Sequence, residues 1–237
     1  MFTKNNLEKT IYLSLGAQII TSAISFKGIN YNLEQNDQIL QDILKLELFV
    51  QLVEFIFYVW ISTSLKNYDT MTSRRYIDWI ITTPTMLFST IIFMKYQEQK
   101  EKNDNHLLTL EGFINDNKSN IKKIFFYNGL MLYFGYLGES KQMDLYKSVT
   151  IGFVFFYLSF NTIYKEYAQK SKEGEQLFNF LLIVWGLYGV AAIMDPIKKN
   201  ILYNILDVIA KNFYGLFIYF KIKNIKTQQP FSLDQSR

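Results

Sequence analysis

The chain has 237 residues, 49% of them hydrophobic, 17% aromatic and 19% charged, with 25 Lys and Arg, 21 Asp and Glu and a formal net charge of +4. There is no cysteine and a single histidine, His106. This excludes disulfide frameworks, cysteine nucleophiles and thiolate metal sites. It argues against a histidine zinc centre or a Ser-His-Asp enzyme, so no enzymatic activity is expected, and the charge excess is too small to imply nucleic acid.

A mean hydropathy of +0.02 conceals charges that come in blocks. Between the blocks lie seven stretches of roughly the 20 mostly apolar residues needed to cross a bilayer core, at 9–26, 38–65, 73–96, 120–138, 143–167, 175–194 and 200–221. The predicted fold is an all-α membrane protein, one seven-transmembrane-helix domain over residues 1–237. The first stretch lacks a small-residue cleavage signature and precedes six more, so it reads as a retained span. Segments 151–160 and 179–194 are apolar on every face, unlike the striped helices of soluble proteins.

With the N-terminus outside, fifteen Lys and Arg fall on the inner side and eight on the outer, while Arg75 and Lys211 lie within spans. The positive-inside rule therefore predicts an outside N-terminus and a cytoplasmic C-terminus. The longest connection, 97–119, is expected to be a cytoplasmic loop, either lying on the membrane surface or simply ordered. The tail 227–237, with Gln228, Gln229 and Pro230, is expected to be disordered.

Once loops are set aside, six ionisable residues remain inside spans: Glu47 and Glu54 in the second, Arg75 and Asp78 in the third, Asp207 and Lys211 in the seventh. Such groups are costly in hydrocarbon and normally face the bundle interior in pairs. Asp207 and Lys211, four residues apart, share one helix face. A lysine in an apolar span is either a structural ion-pair partner or a desolvated amine able to condense with an aldehyde. In the second case Asp207 and Asp78 are the available counter-ions.

At about 100° per residue, Asp78, Thr82 and Ser89 form one narrow stripe on the third span. Arg75 is expected beside Asp78, where a guanidinium favours the charged carboxylate that a proton acceptor needs. Pro84 removes one backbone hydrogen bond, a tolerated defect in membrane helices. On the second span Glu47, Gln51, Glu54 and Tyr58 share a face about 16 Å long at 1.5 Å per residue. That stripe is expected to face inwards as a packing stripe, a proton relay or the wall of a hydrated cation path.

The run Arg75-Tyr76-Ile77-Asp78-Trp79-Ile80-Ile81-Thr82-Thr83-Pro84 resembles the third-helix signature of the microbial (type 1) rhodopsins. Leu202-Tyr203-Asn204-Ile205-Leu206-Asp207-Val208-Ile209-Ala210-Lys211 is similar to their retinal-attachment helix. The likeness spans the whole topology and is strongest with the proteorhodopsin-like branch, with minor support from Tyr136-Leu137-Gly138-Glu139; the Asp-Thr-Ser pattern also suggests a viral type. The resemblance implies all-trans retinal as a protonated Schiff base on Lys211, Asp78 as primary counter-ion and acceptor, Asp207 as second counter-ion and Arg75 closing the extracellular side. It implies Trp79, Thr83, Met86, Met131, Gly135, Gly152, Phe156, Trp185 and Tyr188 around the chromophore, with Tyr188 bonded to Asp207, and a homo-oligomer in the lipid bilayer.

Several departures bear on function. Gly189 replaces a proline and Ala192 a tryptophan, both at the ring end of the pocket. The apolar Met86 implies green absorption. The histidine that partners the acceptor in proteorhodopsins is absent, because His106 falls in a loop. Ser89 stands where outward pumps carry an acid, and a hydroxyl is a poor proton donor near neutrality. Glutamates seven apart on the second span, with Asn212 after Lys211, resemble channelrhodopsins. The expectation is a light-driven outward proton pump, with a light-gated cation channel lined by Glu47, Glu54 and Asn212 as the alternative and a sensory photoreceptor third.

Overall fold

The computed structural model describes residues 3–63 and 68–228, without the side chains of 68–70. Of the tail 227–237 expected to be disordered, residues 227 and 228 instead belong to the last helix, while the rest, with Arg237, lies outside the described residues, as does Lys66 before the third helix. Among the described residues there are seven long helices and no strand: α1 Lys4–Ile29, α2 Ile39–Ser62, α3 Tyr68–Glu101, α4 Leu110–Glu139, α5 Leu145–Glu166, α6 Lys172–Ala192 and α7 Pro196–Gln228. Seven antiparallel passes put Lys4 at the start of α1 and Gln228 at the end of α7 on opposite faces, the N-face and the C-face.

Helix starts are set by short polar side chains that satisfy the free N–H groups of the first turn. Thr3, Thr109, Asp144, Ser171 and Asp195 each accept a backbone N–H three residues on. Pro196 occupies the first turn of α7, where its missing N–H costs nothing.

The bundle is inverted relative to a soluble protein. Leu13, Ile19 and Ile20 of α1, Leu52 and Ile56 of α2, Ile77 and Ile80 of α3 and Ile183 of α6 point outwards. Ser14, Gln18, Glu47, Gln51, Glu54, Arg75, Asp78, Asp207 and Lys211 point inwards and are almost fully buried. An apolar belt of this extent has bilayer lipid as its matching solvent. By length and composition, α3 over Met71–Glu101, α6 and α7 are each apolar enough to cross a membrane. α1 and α2 are diluted by the polar residues that they turn inwards.

One expectation is corrected. The 97–119 connection is largely helical: α3 runs on to Glu101 and α4 begins at Leu110, leaving only 102–109 between them. α3 stops where Asn103 takes a left-handed φ of 51° and the Asp104 N–H returns to the Gln99 carbonyl at 2.9 Å, a C-terminal cap that asparagine tolerates. The apolar patch around 107–114 enters the first turn of α4 and buries Phe113, 6.1 Å from the Phe88 ring and 6.0 Å from that of Tyr167.

In α7 the backbone switches to a π-turn over Val208–Asn212, and Lys211 lies within it. Such turns widen a helix locally and recur at functional sites.

Candidate functional site

The sequence-marked charges of α3 and α7 converge in mid-bundle. Lys211 Nζ donates to Asp78 Oδ2 at 2.6 Å and lies 3.6 Å from Asp207 Oδ1. Asp207 also accepts from Tyr188 Oη at 2.8 Å, Tyr58 Oη at 2.8 Å and Arg75 Nη1 at 3.0 Å. All of these charged side chains are essentially inaccessible to solvent, where an unpaired charge would be strongly destabilising.

The Arg75 placement corrects the expectation. Its guanidinium forms its ion pair not with Asp78 on its own helix but with Asp207 on α7. Nε donates to Asn200 Oδ1 at 3.0 Å, and Nη2 bonds Asn204 Oδ1. Asn200 Nδ2 in turn donates to Thr72 Oγ1, and Asn204 Nδ2 to Thr10 Oγ1, at 2.9 and 2.8 Å. These two asparagines escaped sequence reading because neutral amides in an apolar run carry no charge signal; their only signal was spacing on the Asp207 face.

An apolar cavity of about 120 Å³ is lined at one point by Lys211, and small-molecule sites are concave and mostly apolar in this way. Trp79, Thr83, Met86, Met131, Gly135, Gly152, Phe156, Trp185 and Tyr188 all line it. Sequence reading missed Tyr76, Phe153 and Tyr203 as further walls. Gly189 and Ala192 also line it. A Cβ on Gly189 would sit 2.3 Å from the Phe153 ring, and one on Gly135 2.6 Å from Tyr76 Oη. These glycines therefore let α5 and α6, and α3 and α4, close around a slender space.

The acceptor stripe is only partly continuous. Thr82 Oγ1 donates to the Asp78 carbonyl, not its carboxylate, at 3.0 Å. Ser89 Oγ donates to Glu47 Oε1 of α2 and also reaches the Met86 carbonyl at 2.9 Å. Glu47, Gln51, Glu54 and Tyr58 are all buried, so the α2 stripe faces inwards as expected. Both oxygens of Glu54, both amide atoms of Gln18 and both of Asn212 are buried without a protein partner.

Two charged residues near the N-face, Lys199 and Asp195, differ in their surroundings. Lys199 is buried and donates to Glu139 Oε2 of α4 at 2.8 Å. Asp195 is exposed and caps α7 through the Lys198 N–H at 3.1 Å, which holds its carboxyl below the usual range. His106 is exposed in the 102–109 connection, remote from Asp78.

The family model for bacteriorhodopsin-like proteins matches residues 8–225. The chain belongs to this family, the microbial type 1 rhodopsins. Among its relatives, the green-light absorbing proteorhodopsin of Gamma-proteobacterium EBAC31A08 is 25% identical over 182 residues, 68% of this chain and 64% of that protein, so the match spans just under two thirds of the relative. The crystal structure of viral rhodopsin OLPVRII superposes with a TM-score of 0.78 at 25% identity, covering 92% of this chain and 98% of that one. Blue light-absorbing proteorhodopsin from Med12 gives 0.72 at 16% identity, covering 94% and 99%.

Members of the family are membrane-spanning proteins that bind retinal, and membership implies a retinal chromophore here. The cavity fits such a group: a narrow aromatic sleeve, kept open by glycines, that is lined at one point by a buried amine with two carboxylates beside it.

Proposed function

We propose that this microbial rhodopsin holds all-trans retinal on Lys211 and moves protons outward in response to light, from the C-face in the cytoplasm to the N-face outside. The supporting observation is the 2.6 Å contact with Asp78 Oδ2 of Lys211 Nζ, a residue that lines the apolar cavity. Retinal, when bound, supplies a light-absorbing polyene joined to the Lys211 nitrogen, whose orientation changes on illumination.

Asp78 accepts the proton that the Lys211 nitrogen carries. Its Oδ1 has no protein partner, so this carboxylate has free acceptor capacity. Asp207 is held by Arg75, Tyr58 and Tyr188 and serves as the fixed negative charge. Arg75, tied to Asn200 and Asn204, closes the route on the N-face side.

The proton is replaced from the C-face side. Ser89 has one hydrogen but two acceptors within reach, Glu47 Oε1 and the Met86 carbonyl. A protonated Glu47 that donates to Ser89 satisfies both. Glu47 thereby supplies the acid that position 89 lacks, with Thr82 further along the stripe. Trp79, Thr83, Met86, Met131, Gly135, Gly152, Phe156, Trp185 and Tyr188 orient the polyene, and the apolar Met86 favours green absorption.

A second reading is favoured by a separate observation. The unpartnered polar atoms of Gln18, Glu54 and Asn212 call for water, and carboxylates along a wet path conduct cations. Illuminated cells expressing the protein test both. An outward pump acidifies the medium without a gradient, and a protonophore abolishes the change. A channel gives a current that reverses with the cation gradient, and either a silent protein or purely gradient-driven current would overturn the pump reading.

A further inference from the structure

The buried polar atoms without protein partners along α1 and α2 fall into two groups, separated by one side chain. Gln51 of α2 accepts from Ser22 Oγ of α1 at 2.6 Å through Oε1. Its Nε2 has no partner and is aimed at α7, where a Cβ built on Gly215 would lie 2.2 Å from it. Gly215 is therefore the one residue type that leaves room for this amide, and it stands one turn beyond Lys211.

The Ser22–Gln51 bond also fixes the antiparallel register of α1 on α2. At equal rise per residue, Ser25 comes within one residue of the level of Glu47, and Gln18 within one of Glu54. On the C-face side of Gln51 lie Ser25 Oγ and Glu47 Oε2, and on the other side both amide atoms of Gln18 and both oxygens of Glu54, all buried and unpartnered. Two groups of unpartnered polar atoms are thus divided by a rung made from three helices. With its oxygen engaged by Ser22, the amide presents its N–H₂ donors to the path. The positive end of that dipole disfavours cations, and Ser22 occupies one of the two lone pairs through which the oxygen could coordinate one.

We propose that the Gln51 amide, pinned by Ser22 and seated on Gly215, is the barrier that keeps cations from passing between Glu54 and Glu47. This rests on the reading of light-driven ion transport and adds to it a selectivity residue: the barrier confines passage to protons, and its position next to the turn after Lys211 places it where movement of α7 acts on it directly.

The test is whole-cell photocurrent of the full chain, with external sodium exchanged for a large organic cation. Gln51→Ala removes the amide, Ser22→Ala releases it, and Gly215→Ala drives a methyl group into its place. Each is expected to raise the stationary photocurrent several-fold and to make its reversal potential follow sodium, whereas Gln51→Leu, which refills the space with an apolar group, keeps the parent's reversal potential. A purely packing role would lower pigment yield without altering selectivity. If all three variants that disturb the amide absorb light normally and keep the parent's current and reversal potential, Gln51 is not the barrier. The transport reading fails separately, in the unsubstituted protein, if illumination yields neither current nor pH change; a sodium-dependent current in the variants alone would still support the barrier.

Discussion

Arg75 pairs with Asp207, 3.0 Å away on α7, and leaves Asp78 on its own helix to Lys211. The two carboxylates thereby differ in role although both flank one amine. Asp207 is saturated with donors and Asp78 is not. Asp207→Asn should strand a buried guanidinium and cost about 3–5 kcal/mol, read as earlier thermal bleaching of the pigment. Tyr188→Phe, which removes one neutral donor to a charged group, should cost about 1.5–3 kcal/mol. Equal bleaching of Asp207→Asn and the parent would refute the pairing.

Lys211→Ala should give a folded, colourless protein, because among the described residues no other lysine lines the cavity. Visible absorbance that persists in this variant after addition of retinal would place the attachment elsewhere.

Glu47→Gln removes the acid joined to Ser89. Recovery after a flash should slow by about 10²-fold, at the low end of what a positioned acid contributes. Glu54→Gln should alter current amplitude or recovery to a smaller degree. Flash absorption decays in the two variants check this, and decay rates and currents unchanged in both would remove α2 from the transport path.

The glycines at the cavity give a graded test. A Cβ on Gly189 meets the Phe153 ring at 2.3 Å, while one on Gly152 finds its nearest atom, the Met131 carbonyl oxygen, at 3.6 Å. Gly189→Ala should therefore shift the absorption maximum or cut retinal uptake several-fold, and Gly152→Ala should be tolerated. Absorption spectra after reconstitution decide it; the reverse order would mean that the pocket closes differently.

Sequence reading reached the seven passes, the charged residues and every proposed cavity residue because each leaves a strong local mark: an apolar run, a charge inside it, a motif. It missed what depends on which helix faces which. Arg75 was expected beside Asp78 because they are three residues apart, yet its long side chain reaches the facing α7 instead. Lys199 reads as a loop charge until α4 brings Glu139 to it. Asn200 and Asn204 look like filler until four helices converge on them. The helical extension of α3 and α4 beyond the apolar segments was hidden by polar composition, and it is held by Thr109 and by Phe113 between Phe88 and Tyr167.

The most direct test of the account is infrared difference spectroscopy of the retinal-loaded protein under illumination. A carboxylic acid C=O band should rise as the visible absorption of the resting pigment falls, and it should vanish in Asp78→Asn, whose pigment absorbs at longer wavelength. No carboxylic acid band in the parent, or an identical band in Asp78→Asn, would contradict proton transfer from the Lys211 nitrogen to Asp78.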